Sequence, residues 1–174
     1  MPGTSPLRVC RADYANPVHA SALVSLLDAY ARDPMGGGEP LSEFARANLV
    51  FALAARPQAF SVLAFGETAG GGGELPVGLV NCIEGFSTFA CRPLVNVHDV
   101  AVLSPYRGQR VAEKMLALVE EIARERGACK LTLEVLQGNA GAIKLYHRVG
   151  FANYQLDPVM GQAQFLQKWL RQPS

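Results

Sequence analysis

The chain has 174 residues, enough for one domain around one core and too short for two ordinary ones. Apolar residues make up 49% and charged residues 18%, a globular rather than a disordered composition. Lys and Arg total 16 against 15 Asp and Glu, and a net charge of +1 excludes a chain-wide field for nucleic acid or an anionic membrane.

No apolar run approaches the roughly 18 residues that a membrane span needs. The longest candidate, Ala47 to Ala55, is closed by Arg46 and Arg56. Met1 to Tyr14 lacks an apolar signal core, so a cytoplasmic protein is expected. Cys10, Cys82, Cys91 and Cys129 show no C-x-x-C spacing, and His19, His98 and His147 are scattered. Reduced, partly buried thiols and no metal site are therefore expected.

In chain order, Ser5 to Tyr14 alternates as a first strand. Asn16 and Pro17 start a helix whose stripe is Val18, Ala22, Leu23, Leu26, Leu27 and Tyr30, and Asp33-Pro34 with Gly36 to Gly38 stops it. A second helix spans Leu41 to Arg56, with Phe44, Val50, Phe51 and Ala54 apolar. Phe60 to Phe65 and Leu75 to Glu84 read as a hairpin of strands about a glycine-rich loop. That loop has no Gly-Lys-Ser/Thr and no following helix, so it is not a phosphate loop. A loop containing Gly85 and Arg92-Pro93 leads to a long strand, Leu94 to Leu103.

Ser104 to Ala112 then opens the strongest helix, with Val111, Met115, Leu118, Val119 and Ile122 on its buried face and Glu120–Arg124 as an i,i+4 pair. Cys129 to Leu136 alternates as a strand. Asn139 to Val149 is a short helix ended by Gly150, and Phe151 to Leu156 and Ala163 to Leu170 read as a last strand pair. Trp169 is expected in the core or an interface. The order predicts one α/β domain over residues 1–174. Its mixed sheet has about six to seven strands, antiparallel then parallel, with helices on both faces.

The informative element is Val100 to Ala112, where a strand enters a tight turn and then a helix. Free N–H groups at a helix start, with Arg107 and Arg110 beside them, suit a pyrophosphate. An ordinary strand-to-helix turn with two solvated arginines is equally compatible with these residues alone.

These residues resemble the GNAT superfamily of N-acetyltransferases, whose signature is Arg/Gln-x-x-Gly-x-Gly/Ala after a strand. Arg107 and Ala112 match, Gly108 supplies the common Arg-Gly pair, and Arg110 stands where the central glycine belongs. Downstream, Leu131 to Val135, then Asn139, Ala142, Leu145-Tyr146 and Gly150-Phe151, match a second family block in the right order.

The resemblance implies acetyl transfer from acetyl-CoA to an amine, without metal. It implies that backbone groups near Ala101 and Val102 pair with the pantetheine arm. The N–H groups of Gly108, Gln109, Arg110, Val111 and Ala112 would hold the pyrophosphate, with Asn139 and Ala142 along the cofactor. Tyr146 would protonate the leaving thiolate.

The amine must also lose a proton, since alkyl amines have a pKa near 10.4. Glu84, His98 and Asp99 are the candidates; His98 and Asp99 occupy the place of an acidic pair in the polyamine-acetylating branch. Adjacent on a strand, they face opposite sides unless a bulge intervenes. His98 as a backbone-bonded strand residue stands beside the catalytic reading.

A small-molecule amine is the expected acceptor, with a protein N-terminus or lysine as the rival; a homodimer is left open. A non-catalytic acyl-CoA sensor is the second class, favoured by Arg110 and disfavoured by Tyr146. A dinucleotide-binding fold fails, since no Gly-x-Gly-x-x-Gly follows the first strand. Because glycine at the Arg110 position would tolerate positive φ and arginine does so only at a cost, an ordinary helical φ is expected there.

Overall fold

The computed structural model describes residues 7–68, 73–154, 157, 159, 161 and 163–170. The chain forms two compact units, Met1–Leu133 and Glu134–Ser174.

The first unit is a mixed sheet of β1 (Arg8–Arg11), β2 (Ala59–Glu67), β3 (Glu74–Ser87), β4 (Arg92–Val102) and β5 (Leu131–Leu133), in that spatial order. The first four strands pair antiparallel, and β5 pairs parallel to β4, from Val95 opposite Leu131 to Val97 opposite Leu133. β2 is buried from Ala59 to Gly66 because it is central and covered on both faces.

Helix α1 (Pro17–Arg32) starts as its sequence requires. Asn16 Oδ1 accepts the N–H groups of Val18 (2.9 Å) and His19 (3.4 Å), and Pro17 occupies the first turn. Its buried face, Ala22, Leu23 and Leu26, packs with Leu63, Phe65, Leu79 and Ala101 of the sheet. Helix α2 (Glu43–Ala54), capped by Ser42, lays Leu49, Val50 and Leu53 on that cluster. Phe44 and Phe51, expected on the apolar face, are exposed instead: they share the side of the helix turned away from the cluster.

Helix α3 (Val111–Glu125) covers the opposite face with Val111, Met115, Leu116, Val119, Ile122 and Ala123; Leu116 is buried where Leu118 was expected. Gly78 lets β3 and α3 approach closely: a Cβ there would lie 2.8 Å from Met115 Cε. Glu120 and Arg124 form the expected ion pair. Helices thus lie on both faces of the sheet.

Three expectations are corrected. The loop proposed around Gly85 to Arg92 is the tip of a hairpin, since β3 continues to Ser87 and β4 begins at Arg92. The strand proposed over Cys129 to Leu136 pairs only at Leu131–Leu133, and this pairing stops where a register slip at His98 interrupts the regular pleat of β4. The last strand pair is not formed in the described residues, Gln155 and Leu156 lying outside them; five strands replace six to seven. Phe165, Leu166, Trp169 and Leu170 are exposed, so the alternating pattern there lacks the buried face that stabilises a strand. Trp169 is likewise not a core residue.

The second unit carries α4 (Ala140–Arg148), whose start is capped by Asn139 Oδ1 accepting the Ala142 N–H at 3.1 Å. No described helix is long and apolar enough to cross a membrane.

All four cysteines are free thiols: Cys82 is buried, Cys10 half-buried, and Cys91 and Cys129 are exposed. Burial pushes the Cys82 thiol up to about 12. Brief iodoacetamide treatment of the folded protein at pH 8 is expected to label Cys91 and Cys129 and spare Cys82, read by peptide mass spectrometry. Labelling of Cys82 at the rate of Cys129 would contradict its burial.

Candidate active site

Strand β4 is paired on both sides from Val95 to Val97 and on one side after it. Its register against β3 slips there: Cys82 lies opposite Val97 and Asn81 opposite Asp99, so His98 is an extra residue with no partner. This is a β-bulge, and it sits where β4 loses β5. From His98 to Val102, one edge of β4 is therefore free of strand pairing among the described residues.

The bulge also resolves the facing of the neighbours. His98 Nδ1 lies 3.0 Å from Asn96 Oδ1, and Asp99 Oδ2 accepts the Asn81 amide N–H at 3.0 Å. Asn96 opposes Ile83 and Asp99 opposes Asn81, two residues apart on one strand. His98 and Asp99 thus project from one face, that of α1, with His98 exposed and Asp99 half-buried. Glu84 is placed elsewhere: it alternates to the α3 face and accepts from Arg126 Nη1 at 2.9 Å.

Past Val102 the chain makes a short 3-10 turn, Ser104–Tyr106, and then the segment that opens α3. Gly108 has φ +77° and Arg110 has φ +60° with ψ 20°. The expectation of an ordinary helical φ at Arg110 is therefore overturned. The turn needs a left-handed residue to aim the chain into α3, and arginine adopts the conformation a glycine would take there. Such a non-glycine residue stores about 1–2 kcal/mol.

The side chains of this turn fold back. Arg107 Nε donates to the Val102 carbonyl (2.9 Å), its Nη2 to Asp33 (2.9 Å), and Gln109 Nε2 to the Pro105 carbonyl (2.9 Å). The Met35 N–H and Arg107 hold the Asp33 carboxyl below the usual carboxylate range. Arg110 is exposed.

Asn16, Ser42 and Asn139 cap α1, α2 and α4, but no side chain caps α3. Its first N–H groups, at Val111 and Ala112, have no intrahelical acceptor and lie at the positive end of the helix dipole.

Arg110→Gly is expected to stabilise the fold by up to about 1 kcal/mol, because relief of the left-handed strain outweighs the entropy of glycine. Urea denaturation measures this, and a loss of stability would contradict the strain.

In the second unit, Tyr146 is half-buried on α4, its ring edge-on to Phe151 at 5.9 Å, and the Phe151 N–H donates to the Tyr146 carbonyl at 2.9 Å. Asn139, Ala142 and Tyr146 lie on this one helix and its cap.

Sequence reasoning missed Asp33, which holds Arg107, and Asn81, which holds Asp99. Asn81 carried a signal, being a lone polar residue inside an apolar strand run.

Comparison with known proteins agrees with this fold. Residues 20–151 match the family model described as acetyltransferase (GNAT) family. Streptothricin acetyltransferase of Streptomyces lavendulae is 34% identical over 100 residues, 56% of this chain and 53% of that protein; the chain thus matches about half of that relative's length. A crystal structure of a probable acetyltransferase superposes with TM-score 0.74 at 21% identity, covering 94% of this chain and 99% of that one. The aminoglycoside N-acetyltransferase AAC(6')-Iy, solved in complex with CoA, superposes with TM-score 0.69 at 18% identity, covering 97% and 98%. With the matched model spanning most of the chain, from α1 through the end of α4, the protein belongs to the acetyltransferase (GNAT) family.

Proposed function

We propose that the protein moves an acetyl group from acetyl-CoA to the primary amine of a small molecule. The observation that carries this reading is the free edge of β4 running into an uncapped helix start. An extended amide chain pairs with such an edge, and a pyrophosphate completes such a helix. In this reading Ala101 and Val102 offer backbone groups to the pantetheine arm. The N–H groups of Gly108 to Ala112 hold the pyrophosphate; Arg107, tied to Val102 and Asp33, holds the turn in shape. Arg110 keeps its N–H in the geometry that glycine would give. Asn139 and Ala142 lie along the cofactor.

Asp99 is assigned the amine proton, with His98 beside it. The neutral nitrogen then attacks the thioester carbonyl, the oxyanion meets fixed backbone donors, and Tyr146 protonates the departing thiolate. The likeness to a streptothricin acetyltransferase supports a small-molecule acceptor. Residues 1–174 act as one acetyltransferase domain in the cytoplasm.

Two measurements test this. Calorimetry with acetyl-CoA in the presence of a chelator is expected to show binding without metal. A screen of amines for release of free CoA thiol is expected to find turnover on small polyamines and aminosugars. Binding without transfer to any amine would favour an acyl-CoA sensor, and transfer only to peptide N-termini or lysines would replace the acceptor class. Absence of binding at millimolar acetyl-CoA would remove the reading.

A further inference from the structure

The core of the first unit buries two polar side chains among the described residues, Ser61 (1% exposed) and Asn81 (5%). They are not scattered. Ser61 on β2 lies opposite Asn81 on β3, and Asn81 lies opposite Asp99 on β4, so the three form one rung across the central strands. Their neighbours on the same face are Leu63, Leu79 and Ala101, all apolar. Tyr14, beyond β1, closes the rung: its hydroxyl is 2.9 Å from Ser61 Oγ, which is 2.6 Å from Asn81 Oδ1. The Asn81 amide nitrogen is 3.0 Å from Asp99 Oδ2.

The direction of these bonds follows from chemistry. An ionised carboxylate only accepts, so Asn81 turns its NH2 to Asp99 and its oxygen to Ser61. Ser61 has one proton, and it goes to Asn81. Tyr14 must then donate to Ser61, and it retains its proton because burial pushes its phenol up. Every dipole in the row points at Asp99, and bonds aligned this way reinforce one another. Apolar side chains would fill these positions with less demand on partners, so a fully satisfied polar row in an apolar core calls for a role.

We propose that Tyr14, Ser61 and Asn81 are positioning residues that hold the Asp99 carboxylate aimed as the acceptor of the amine proton. This rests on the reading of Asp99 as the base. The row does not carry a proton, since the Asn81 amide cannot pass one along. In the step, the ammonium N–H bond breaks, an O–H bond forms on Asp99, and the electron pair stays on nitrogen for attack. The proton later leaves Asp99 to solvent.

The other titratable groups around Asp99 are Tyr30 from α1, Cys82 beside Asn81, and His98 on its own strand. Burial, with the Asp99 charge, raises Tyr30 and Cys82, so both stay neutral between pH 5 and 8.

The test is the pH dependence of kcat with a saturating amine. In Asn81→Leu the acidic limb is expected to move to higher pH, since the charged form loses a hydrogen bond. Ser61→Ala and Tyr14→Phe are expected to move it the same way by successively less, with KM for acetyl-CoA unchanged. In an Asp99→Asn background the three substitutions are expected to leave the profile alone. Tyr14→Phe lies at the half-buried end and keeps the test open should a buried variant fail to fold. A limb that vanishes in Asp99→Asn yet stands still in the three variants, while their melting temperatures fall, overturns the positioning role and leaves Asp99 as base. A limb untouched by Asp99→Asn overturns the base reading and the proposal with it.

Discussion

Tyr146→Phe is expected to lower kcat by about 10²–10⁴-fold while leaving acetyl-CoA affinity nearly unchanged, the loss typical of a general acid. The substitution removes one oxygen and keeps the ring. The edge-on contact with Phe151 and the backbone bond from Phe151 to the Tyr146 carbonyl both survive it. Affinity by calorimetry and single-turnover rates by rapid quench separate the two effects. An unchanged single-turnover rate would return Tyr146 to a packing role on α4.

Phe65→Ala is expected to destabilise the first unit by about 3–5 kcal/mol, the range for emptying a buried aromatic site. Phe65 is 1% exposed and stands in the cluster that joins α1 to the sheet. The His19 ring lies 5.7 Å away, and the Arg8 guanidinium covers the ring at 4.4 Å. Neither neighbour can collapse into the space, since one is fixed on a helix and the other pairs with Glu74. At 2–4 °C per kcal/mol for a chain of this size, the melting temperature should fall by about 10 °C. A fall of under 3 °C would mean that α1 is not held by this cluster.

Where local pattern and packing agree, sequence reasoning found the structure. Helix α3 was legible because its 3.6-residue stripe meets one face of the sheet, and α1 and α4 because Asn16 and Asn139 cap them. The features that make the site were not legible. A bulge at His98 leaves no mark in composition, being a matter of register between two strands. The left-handed backbone at Arg110 was hidden because the residue that usually announces it, glycine, is absent. The rung from Ser61 to Asp99 depends on which residues end up opposite one another, and no single strand records that. The short β5 has the same cause, since its pairing ends where the bulge in β4 begins, which its own alternation does not record.

The unpaired His98 has a consequence for how this strand tolerates change in length. Because the slip adds a residue without a counterpart, Asp99 opposes Asn81 with His98 present and would oppose it with His98 deleted. His98 is like a letter inserted without disturbing the reading frame. A chain shortened by that one residue would keep every later side chain of β4 on its present face. The deletion would remove the local kink and leave β3 and β4 in frame, so the pairing of the central strands does not depend on the bulge.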